Sequence, residues 1–523
     1  MNESKIKSPG VYIDEVNAFP NTVVPVPTAV PAFIGYTPQA VYEGKSYTNI
    51  PMKITSFAEF QAIYCYPEPP APANPIKQYS PAYYLVTQTK QPDQGDHLLI
   101  DNTYYSIVPD PDTIYYLYNS IRLFYENGGG DAYIVSVGSY GAPSKQPMAI
   151  GEQIINANVT LKELQTGLAL LKNEEEPTMY ICPEATLLSM DDNGRLMQRM
   201  LLQNKELQTA ISIFDIIGAD DPDPILYTQD IEAFRNQTGT LGLDYGTAYY
   251  PFIGTTLMQS SDIDYTTIFG GDLTKLQAVL SPPAHPDTTV NTIIENIKTN
   301  GMTTVQYNNA LMRASKTYST IIKHVLAVAN ILPPSGAIAG VITTTDNQVG
   351  PWQAPANTTI VGAVSLPIKL SEQQQVGLNR DAVSGKSINA IRYFNGLGIL
   401  IWGARTLDGN SLDWKYLSVR RTLIFLGQSC KLAARAYVFA PNDKNTWEGV
   451  KAMIASFLTA IWQQGGLLGA TASEAFAVDC GLGTTMTSED ILKGVMIVSI
   501  KVAVVHPAEF IAITFQQEMP TSS

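Results

Sequence analysis

The chain has 523 residues, more than one hydrophobic core usually supports, and its length predicts two to four domains. Hydrophobic residues make up 45% and charged residues 15% of it, which indicates a well-packed globular protein rather than a disordered one. The formal net charge is −14, and no run of four basic residues occurs. We therefore expect no nucleic-acid partner, because such proteins need clustered Lys and Arg to displace counterions.

The sequence lacks the patterns that usually mark catalytic, metal-binding or membrane-spanning proteins. The four cysteines have no CxxC spacing, which predicts reduced and mostly buried thiols, and no histidine stands in HExxH. A phosphate loop, a Rossmann glycine pattern and a GxSxG elbow are also missing. We predict no cofactor, no metal and no enzymatic activity. Without an apolar leader or an apolar run of about 18 residues, we expect synthesis in the cytoplasm and no membrane insertion.

One acidic stretch leaves two interpretations open. Asp220, Asp221 and Asp223 alternate with two prolines and are compatible with a Ca²⁺ site or with a solvated loop. The glycine and the spaced ligands of a calcium loop are missing, which favours the solvated loop.

The first 40 residues combine a β-prone stretch with a proline-rich linker. In residues 9–16 (PGVYIDEV), Val11 and Ile13 lie on one face of a short predicted strand. Five prolines between positions 20 and 38 then keep the chain extended. A strand on such a linker has no local pairing partner. It can add to another sheet, in this chain or in a neighbour, or it can fold back onto its own domain.

The chain from 28 to 138 predicts a core strand, an insertion and a helix–strand unit. Residues 28–37 form the strand, and residues 40–112, rich in Tyr and Pro, form a small β-rich insertion. Helical spacing predicts a helix over 114–126, which ends at Asn127 and three glycines before a strand over 132–138.

Residues 160–330 alternate between amphipathic helices and short apolar strands, which indicates a sheet covered on both faces. The segment 261–315 is polar and is predicted to be loop-rich, and a helix follows over 318–331. The remaining predicted elements are helices over 160–172, 195–209 and 226–236, and strands over 179–183, 211–216 and 247–252.

Residues 388–518 have the most regular pattern. A glycine-flanked strand over 396–402 precedes helices over 420–436 and 447–464, the second ending at two glycines. Alternating apolar residues then predict strands over 496–504 and 509–517.

At these residues the chain resembles contractile tail sheath proteins of myophages and of phage-derived injection systems. The matching motifs cover the two ends well, and they cover residues 40–150 and 170–330 poorly. They are SPGVYIDEV and VPTAVPAFIGYT near the amino terminus, GPWQAPAN at 350–357, INAIRYFNGLGILIWGARTL at 388–407, WKYLSVRRTL at 414–423, YVFAPNDKNTW at 437–447, GGLLGATASEAF at 465–476 and HPAEFIAITFQQ at 506–517.

The resemblance implies an α/β (α+β) multidomain fold, with a core sheath domain built from both chain ends, inserted outer domains and extended terminal β-arms. The expected boundaries are 1–27 for an amino-terminal arm, 28–40 with 345–508 for the core sheath domain, 41–125 for a β-rich insertion, 126–344 for an α/β outer domain and 509–523 for a carboxy-terminal arm.

The resemblance also implies a structural subunit that stacks as six-membered rings around an inner tube and contracts to drive that tube through a target envelope. The implied partners are further copies of the chain, the tube protein, and baseplate and terminal cap proteins. A self-assembling tube or shell without contraction, and an α/β enzyme with decorative domains, are the alternatives. A phage tail and a pyocin-like, type VI or extracellular particle all remain open.

Two groups of residues are candidates for assembly. The first group is expected to pair as strands with neighbouring subunits. The second group lies in motif segments, and its members are candidates for core positions or for contacts to the tube. The arginines among them suit ion pairs. The strand-pairing group is Val11, Tyr12, Ile13, Asp14, Glu15 and Val16 with Phe510, Ile511, Ala512, Ile513, Thr514 and Phe515, and the second group is Trp402, Arg405, Arg420, Arg421, Asn442 and Trp447.

Overall fold

A computed structural model of the chain describes residues 22–69, 74, 76–92, 97–299 and 301–510. These residues form two compact units. The smaller unit contains residues 22–26 and 422–505, and the larger unit contains residues 27–421 and 506–510.

The larger unit contains a mixed sheet and, among its described residues, three smaller sheets. Its strands are β1 (Pro31–Thr37), β2 (Val41–Tyr42), β3 (Lys45–Ser46), β4 (Met52–Ile54), β5 (Tyr83–Gln88), β6 (His97–Ile100), β7 (Thr103–Pro109), β8 (Ala132–Ser139), β9 (Met179–Ile181), β10 (Ile211–Phe214), β11 (Gly246–Tyr250), β12 (Ile253–Gly254), β13 (Ile331–Leu332), β14 (Thr358–Thr359), β15 (Asn389–Phe394) and β16 (Gly398–Ile401).

Helices follow most of these strands. They are α1 (Phe57–Tyr64), α2 (Leu117–Glu126), α3 (Leu161–Leu170), α4 (Met190–Leu207), α5 (Thr228–Gln237), α6 (Leu273–Leu280), α7 (Thr288–Thr299), α8 (Thr304–Ala314), α9 (Lys316–Ala329), α10 (Ser335–Gln348) and α11 (Glu372–Asn379).

In the described residues, nine strands form the main sheet in the order β14-β16-β15-β11-β10-β9-β1-β8-β4. The six strands from β15 to β8 are parallel, and antiparallel strands close both edges. The predicted strand at 28–37 is confirmed as β1, and every one of its residues is buried. A strand buried on both faces is a continuous apolar run, which is the pattern of a central parallel strand.

Helices cover both faces of this sheet because neighbouring residues of a strand point to opposite sides. Phe33 packs edge-to-face on Phe124 of α2, with ring centroids 5.5 Å apart. On the other face, a Cβ at Gly167 of α3 would lie 2.9 Å from the side chain of Ile34. The mixed α/β architecture expected from the sequence is therefore confirmed.

Helices α2 and α10 pack so closely that only glycine fits between them. A Cβ at Gly336 would lie 2.2 Å from the carbonyl oxygen of Ser120, and one at Gly340 would lie 2.5 Å from that of Phe124. The backbone approach requires residues without a side chain. A buried carboxyl group caps the amino terminus of each of these two helices.

The prediction of a loop-rich segment over 261–315 is wrong, because α6, α7 and α8 lie there. Each helix buries only a narrow stripe, such as Leu276 with Leu280 in α6 or Val290 with Ile294 in α7. Two apolar side chains per helix give too weak a helical period to be recognised among so many polar residues.

The two compact units and the predicted domains divide the chain at different positions, and the predicted boundaries stay a prediction. The main sheet takes strands from the predicted core (28–40 and 345–508), from the predicted β-rich insertion (41–125) and from the predicted outer domain (126–344). The predicted core is also divided, because the units separate after Arg421. The compact units depend on pairing between strands that are far apart in the chain, and a local sequence pattern does not reveal such pairing.

The carboxy-terminal helices and strands lie mostly in the smaller unit. The helix over 447–464 is confirmed, but it begins earlier, because the Asp443 carboxylate accepts a hydrogen bond from the Thr446 backbone amide at 3.0 Å. The elements are α12 (Leu417–Ala434), α13 (Lys444–Gln463), α14 (Ala472–Ala475), β17 (Phe476–Asp479), α15 (Ser488–Leu492) and β18 (Ser499–Val502).

Candidate assembly site

The smaller unit contains a short antiparallel sheet. In the part of the chain that is described, β17 and β18 are its two strands, paired from Phe476 opposite Val502 to Asp479 opposite Ser499. An isolated two-stranded sheet is marginally stable in water, and its outer edges offer backbone N–H and C=O groups for further pairing. This sheet can accept additional strands.

The surface of the smaller unit is neutral and carries many apolar side chains. Residues 422–505 contain six Lys or Arg and six Asp or Glu, although the whole chain carries a charge of −14. A surface with exposed apolar side chains and little net charge is typical of the part of a protein that becomes the buried centre of an interface. The exposed large apolar residues here are Val24, Leu432, Val438, Phe439, Leu468, Leu482, Leu492, Val495, Ile497 and Ile500.

Phe439 stands out among them, and the sequence did not identify it. Its side chain is 101% exposed, and its backbone adopts a left-handed φ of 69°. Left-handed backbone is strained for a bulky residue, and such strain clusters at functional positions. The available signal was the adjacent apolar pair Val438-Phe439 in the loop before α13.

Asn442 and Trp447 hold the loop that carries Phe439. The indole N–H of Trp447 donates to the Asn442 side-chain oxygen at 2.7 Å, and the Asn442 amide donates to the Val495 carbonyl at 3.1 Å. The two predicted residues are therefore brought together, and they join the start of α13 to the segment that precedes β18.

Arg405 forms a fork with Glu509, at the root of the predicted carboxy-terminal arm. Its Nε and Nη2 donate to the two carboxylate oxygens at 2.9 and 2.6 Å. Asn379 Nδ2 also donates to this carboxylate at 2.9 Å, and the Tyr416 hydroxyl lies 3.4 Å from it. Burial acts to raise the pKa of Glu509, but the hydrogen bonds from Arg405 and Asn379 outweigh it, so the pKa lies below its ordinary value.

Arg420 is held by charge and by two aromatic rings. It forms an ion pair with Asp244, and its guanidinium lies 4.3 Å from the ring centroid of Tyr245 and 3.7 Å from that of Trp414. A flat guanidinium suits such ring contacts better than an ammonium group does.

Arg421 forms a deeply buried ion pair with Asp346. Its side chain is 3% exposed, and that of its partner Asp346 is 2% exposed. Nη1 and Nη2 donate to the two Asp346 oxygens at 2.9 and 2.5 Å. Nη2 also donates to the Thr28 carbonyl at 2.9 Å, which fixes the chain just before β1.

The other predicted site residues are placed as follows. Trp402 is 37% exposed, and its ring lies 4.5 Å from that of Phe394. Phe510 is 77% exposed at the end of the described chain. The strand-pairing residues Val11, Tyr12, Ile13, Asp14, Glu15, Val16, Ile511, Ala512, Ile513, Thr514 and Phe515 lie outside the described residues.

Two buried carboxyl groups at the carboxyl ends of central strands cap helices α2 and α10. Glu184 follows β9 and accepts a hydrogen bond from the Leu117 amide at 2.8 Å, while its other oxygen has no partner among the described residues. Asp215 follows β10 and accepts from the Ser335 amide and hydroxyl at 3.0 and 2.5 Å. Burial raises the pKa of Glu184 to about 8 and that of Asp215 to about 7.

The described residues contain neither a cluster of metal-ligating side chains nor a membrane-spanning helix. No group of three His, Cys, Asp or Glu side chains there, including the loop at Asp220, is arranged to hold a metal ion. Within the same residues, none of the helices has the length and apolar character needed to cross a membrane.

Comparisons with known proteins agree on one family. The phage tail sheath protein central domain matches residues 244–407, and the phage tail sheath C-terminal domain matches residues 410–518, together more than half of the chain. A tail sheath protein of Vibrio phage KVP40 is 30% identical over 139 residues, which are 26% of this chain. The chain spans only about a fifth of the length of that relative, since the match covers 20% of it.

Solved structures match nearly the whole chain. The sheath complex of an extracellular contractile injection system, PVC, in the contracted state has a TM-score of 0.57 at 22% identity and is covered over 98% of both chains. The contracted baseplate structure of the anti-feeding prophage has a TM-score of 0.60 at 20% identity, over 99% of this chain and 98% of that one. At such identity these likenesses establish the fold. With the two domain matches, they show that this chain belongs to the contractile tail sheath family of structural proteins.

Proposed function

We propose that the chain polymerises as stacked six-membered rings around an inner tube, and that contraction of this sheath drives the tube through a target envelope. The observation that carries the proposal is the β17–β18 sheet, which has two short strands and open edges among the described residues. Residues 9–16 and 509–517, at opposite ends of the chain, supply β-prone segments that suit those edges.

Strand addition explains how a lattice can hold together while its subunits move. Each added strand of about five to eight residues supplies several backbone hydrogen bonds, each worth about 0.5–1.5 kcal/mol net. The contact is heterologous, because the arm of one copy meets the sheet of the next. Such contacts generate rings or helical tubes.

The partners that follow are other copies of the chain, the tube protein, baseplate proteins and terminal caps. The similar structures include a sheath complex and a baseplate, which supports self-assembly and baseplate association. Trp402, Asn442 and Trp447 stay candidates for the tube contact. Arg405, Arg420 and Arg421 are assigned a core role instead, because their guanidinium groups are engaged in buried ion pairs. The particle is a phage tail or a tail-like injection system.

The amino-terminal arm provides the test. Proline at both Val11 and Ile13 removes two backbone donors and disrupts strand pairing without touching the described core. We expect the variant to be folded and soluble but unable to form long sheaths, as seen by negative-stain microscopy with the tube protein. Proline at Asn2 and Ser4, with the same spacing outside the β-prone stretch, serves as the control and should assemble normally.

The outcomes separate the alternatives. Normal assembly and contraction of the Val11→Pro/Ile13→Pro variant would contradict strand exchange by this arm. Rings or tubes that form without the tube protein and never shorten would instead support a non-contractile tube or shell.

A further inference from the structure

The carboxy-terminal tail contacts the larger unit through the side chains of His506 and Glu509. The His506 ring packs edge-to-face on Tyr416, with centroids 6.0 Å apart. Three residues later, Arg405, Asn379 and Tyr416 surround the Glu509 carboxylate. The next side chain, Phe510, is 77% exposed. Glu509 is therefore the last side chain of the described tail that its own unit holds.

Arg405 is itself fixed to the nine-stranded sheet. Its backbone amide donates to the side-chain oxygen of Asn389 in β15 at 2.8 Å. Its carbonyl accepts from Asn389 Nδ2 and from the Thr247 hydroxyl of β11, each at 2.9 Å. Its Nη1 donates to the Asn379 carbonyl at 2.9 Å. A continuous set of hydrogen bonds thus runs from the tail carboxylate to two adjacent central strands.

We propose that Glu509 and Arg405 form the anchor of the carboxy-terminal arm, through which a pull from a neighbouring copy reaches the main sheet of the subunit. The inference rests on the proposed strand exchange and adds the residues that make the arm mechanically useful. A strand paired with a neighbour transmits force only if its root is fixed on its own subunit.

The geometry suits this role. The guanidinium fork bonds both carboxylate oxygens, so the arm can neither rotate nor slide without breaking two charge-assisted hydrogen bonds. Lysine cannot reproduce this arrangement, because its ammonium is a point charge on a flexible stem. The Arg405 side chain is 6% exposed and that of Glu509 is 20% exposed, so solvent screens the pair only weakly.

The test uses the full-length chain assembled with its tube protein. Arg405→Lys is expected to reduce the mean sheath length at least about tenfold at matched protein concentration, because a charge-assisted hydrogen bond is lost. The double variant Arg405→Met/Glu509→Leu removes both charges together, so that no unpaired charge remains buried. We expect its urea midpoint to stay close to that of the wild type while its sheaths are equally short. Glu489→Ala, which breaks the exposed pair with Lys493, is the matched control and should leave sheath length unchanged.

A chain that ends after Glu509 separates this anchor from the strand exchange on which it rests. If that truncated chain forms full-length sheaths, strand exchange by the carboxy-terminal arm is wrong and the anchor has no function. If the truncated chain fails but the double variant builds sheaths of wild-type length, strand exchange stands and the anchor is wrong. Short sheaths from both support the anchor.

Discussion

Replacing Arg421 with alanine is expected to lower the free energy of unfolding by about 3–5 kcal/mol. The change leaves the Asp346 carboxylate buried without its counter-charge, and the Thr28 carbonyl loses a donor. An uncompensated buried charge is far more costly than the loss of the attraction alone. A urea titration followed by circular dichroism measures the effect.

The control for this prediction is an exposed ion pair of the same chain. Lys493 and Glu489 lie one helical turn apart with side chains 63% and 75% exposed, so Lys493→Ala should cost about 0.5 kcal/mol or less. The double variant Arg421→Ala/Asp346→Ala should recover part of the loss, since no lone charge remains. A loss below about 1 kcal/mol for Arg421→Ala would show that the pair is not a structural requirement.

The second large effect is a loss of stability as the pH rises. Burial in the folded state raises the pKa of Glu184 to about 8 and that of Asp215 to about 7. Folding therefore favours the protonated acids. Their stabilising contribution is complete below the ordinary carboxyl pKa and is lost as the pH rises through about 7 for Asp215 and about 8 for Glu184. Each group should lower the free energy of unfolding by about 1.4 kcal/mol per pH unit over its range.

Urea unfolding at pH 5, 7 and 9 measures this slope. Glu184→Gln has the shape of the protonated acid and cannot ionise, and its amide oxygen can still accept from the Leu117 amide. We expect this variant to have a shallower pH dependence than the wild type and a higher stability at pH 9. Glu489→Gln, at an exposed site, should follow the wild type. Identical slopes for the wild type and Glu184→Gln would contradict the assignment.

The local parts of the fold were predictable because they depend on short patterns. The continuous apolar run of β1 and the apolar stripe of α13 are visible in the sequence, and both are present in the structure. The segment 261–315 was not predictable, because α6 and α7 each bury only two apolar residues. The domain boundaries stay a prediction, and the pairing of strands such as β11 with β15 could not be predicted because these strands are far apart in the chain.

The arginines could be selected from motif segments, but their partners could not be found from the sequence. Arg420 pairs with a residue 176 positions away, Arg421 with one 75 positions away, and Arg405 with one 104 positions away. No spacing rule connects charges over such distances. The left-handed backbone of Phe439 was equally hidden, because that conformation is unusual for an aromatic residue. The sheath function came from the family resemblance, since composition and spacing alone indicate only a globular assembly protein.

The most direct test is an electron cryo-microscopy map of the sheath assembled from the full-length chain and its tube protein, at a resolution that traces individual strands. We expect residues 9–16 and 509–517 to lie as added strands against sheets of neighbouring subunits, with β17 and β18 as the acceptors. We also expect Glu509 to remain bonded to Arg405 of its own subunit. A map in which both segments fold back onto sheets of their own subunit, with no strand crossing between copies, would contradict strand exchange between subunits.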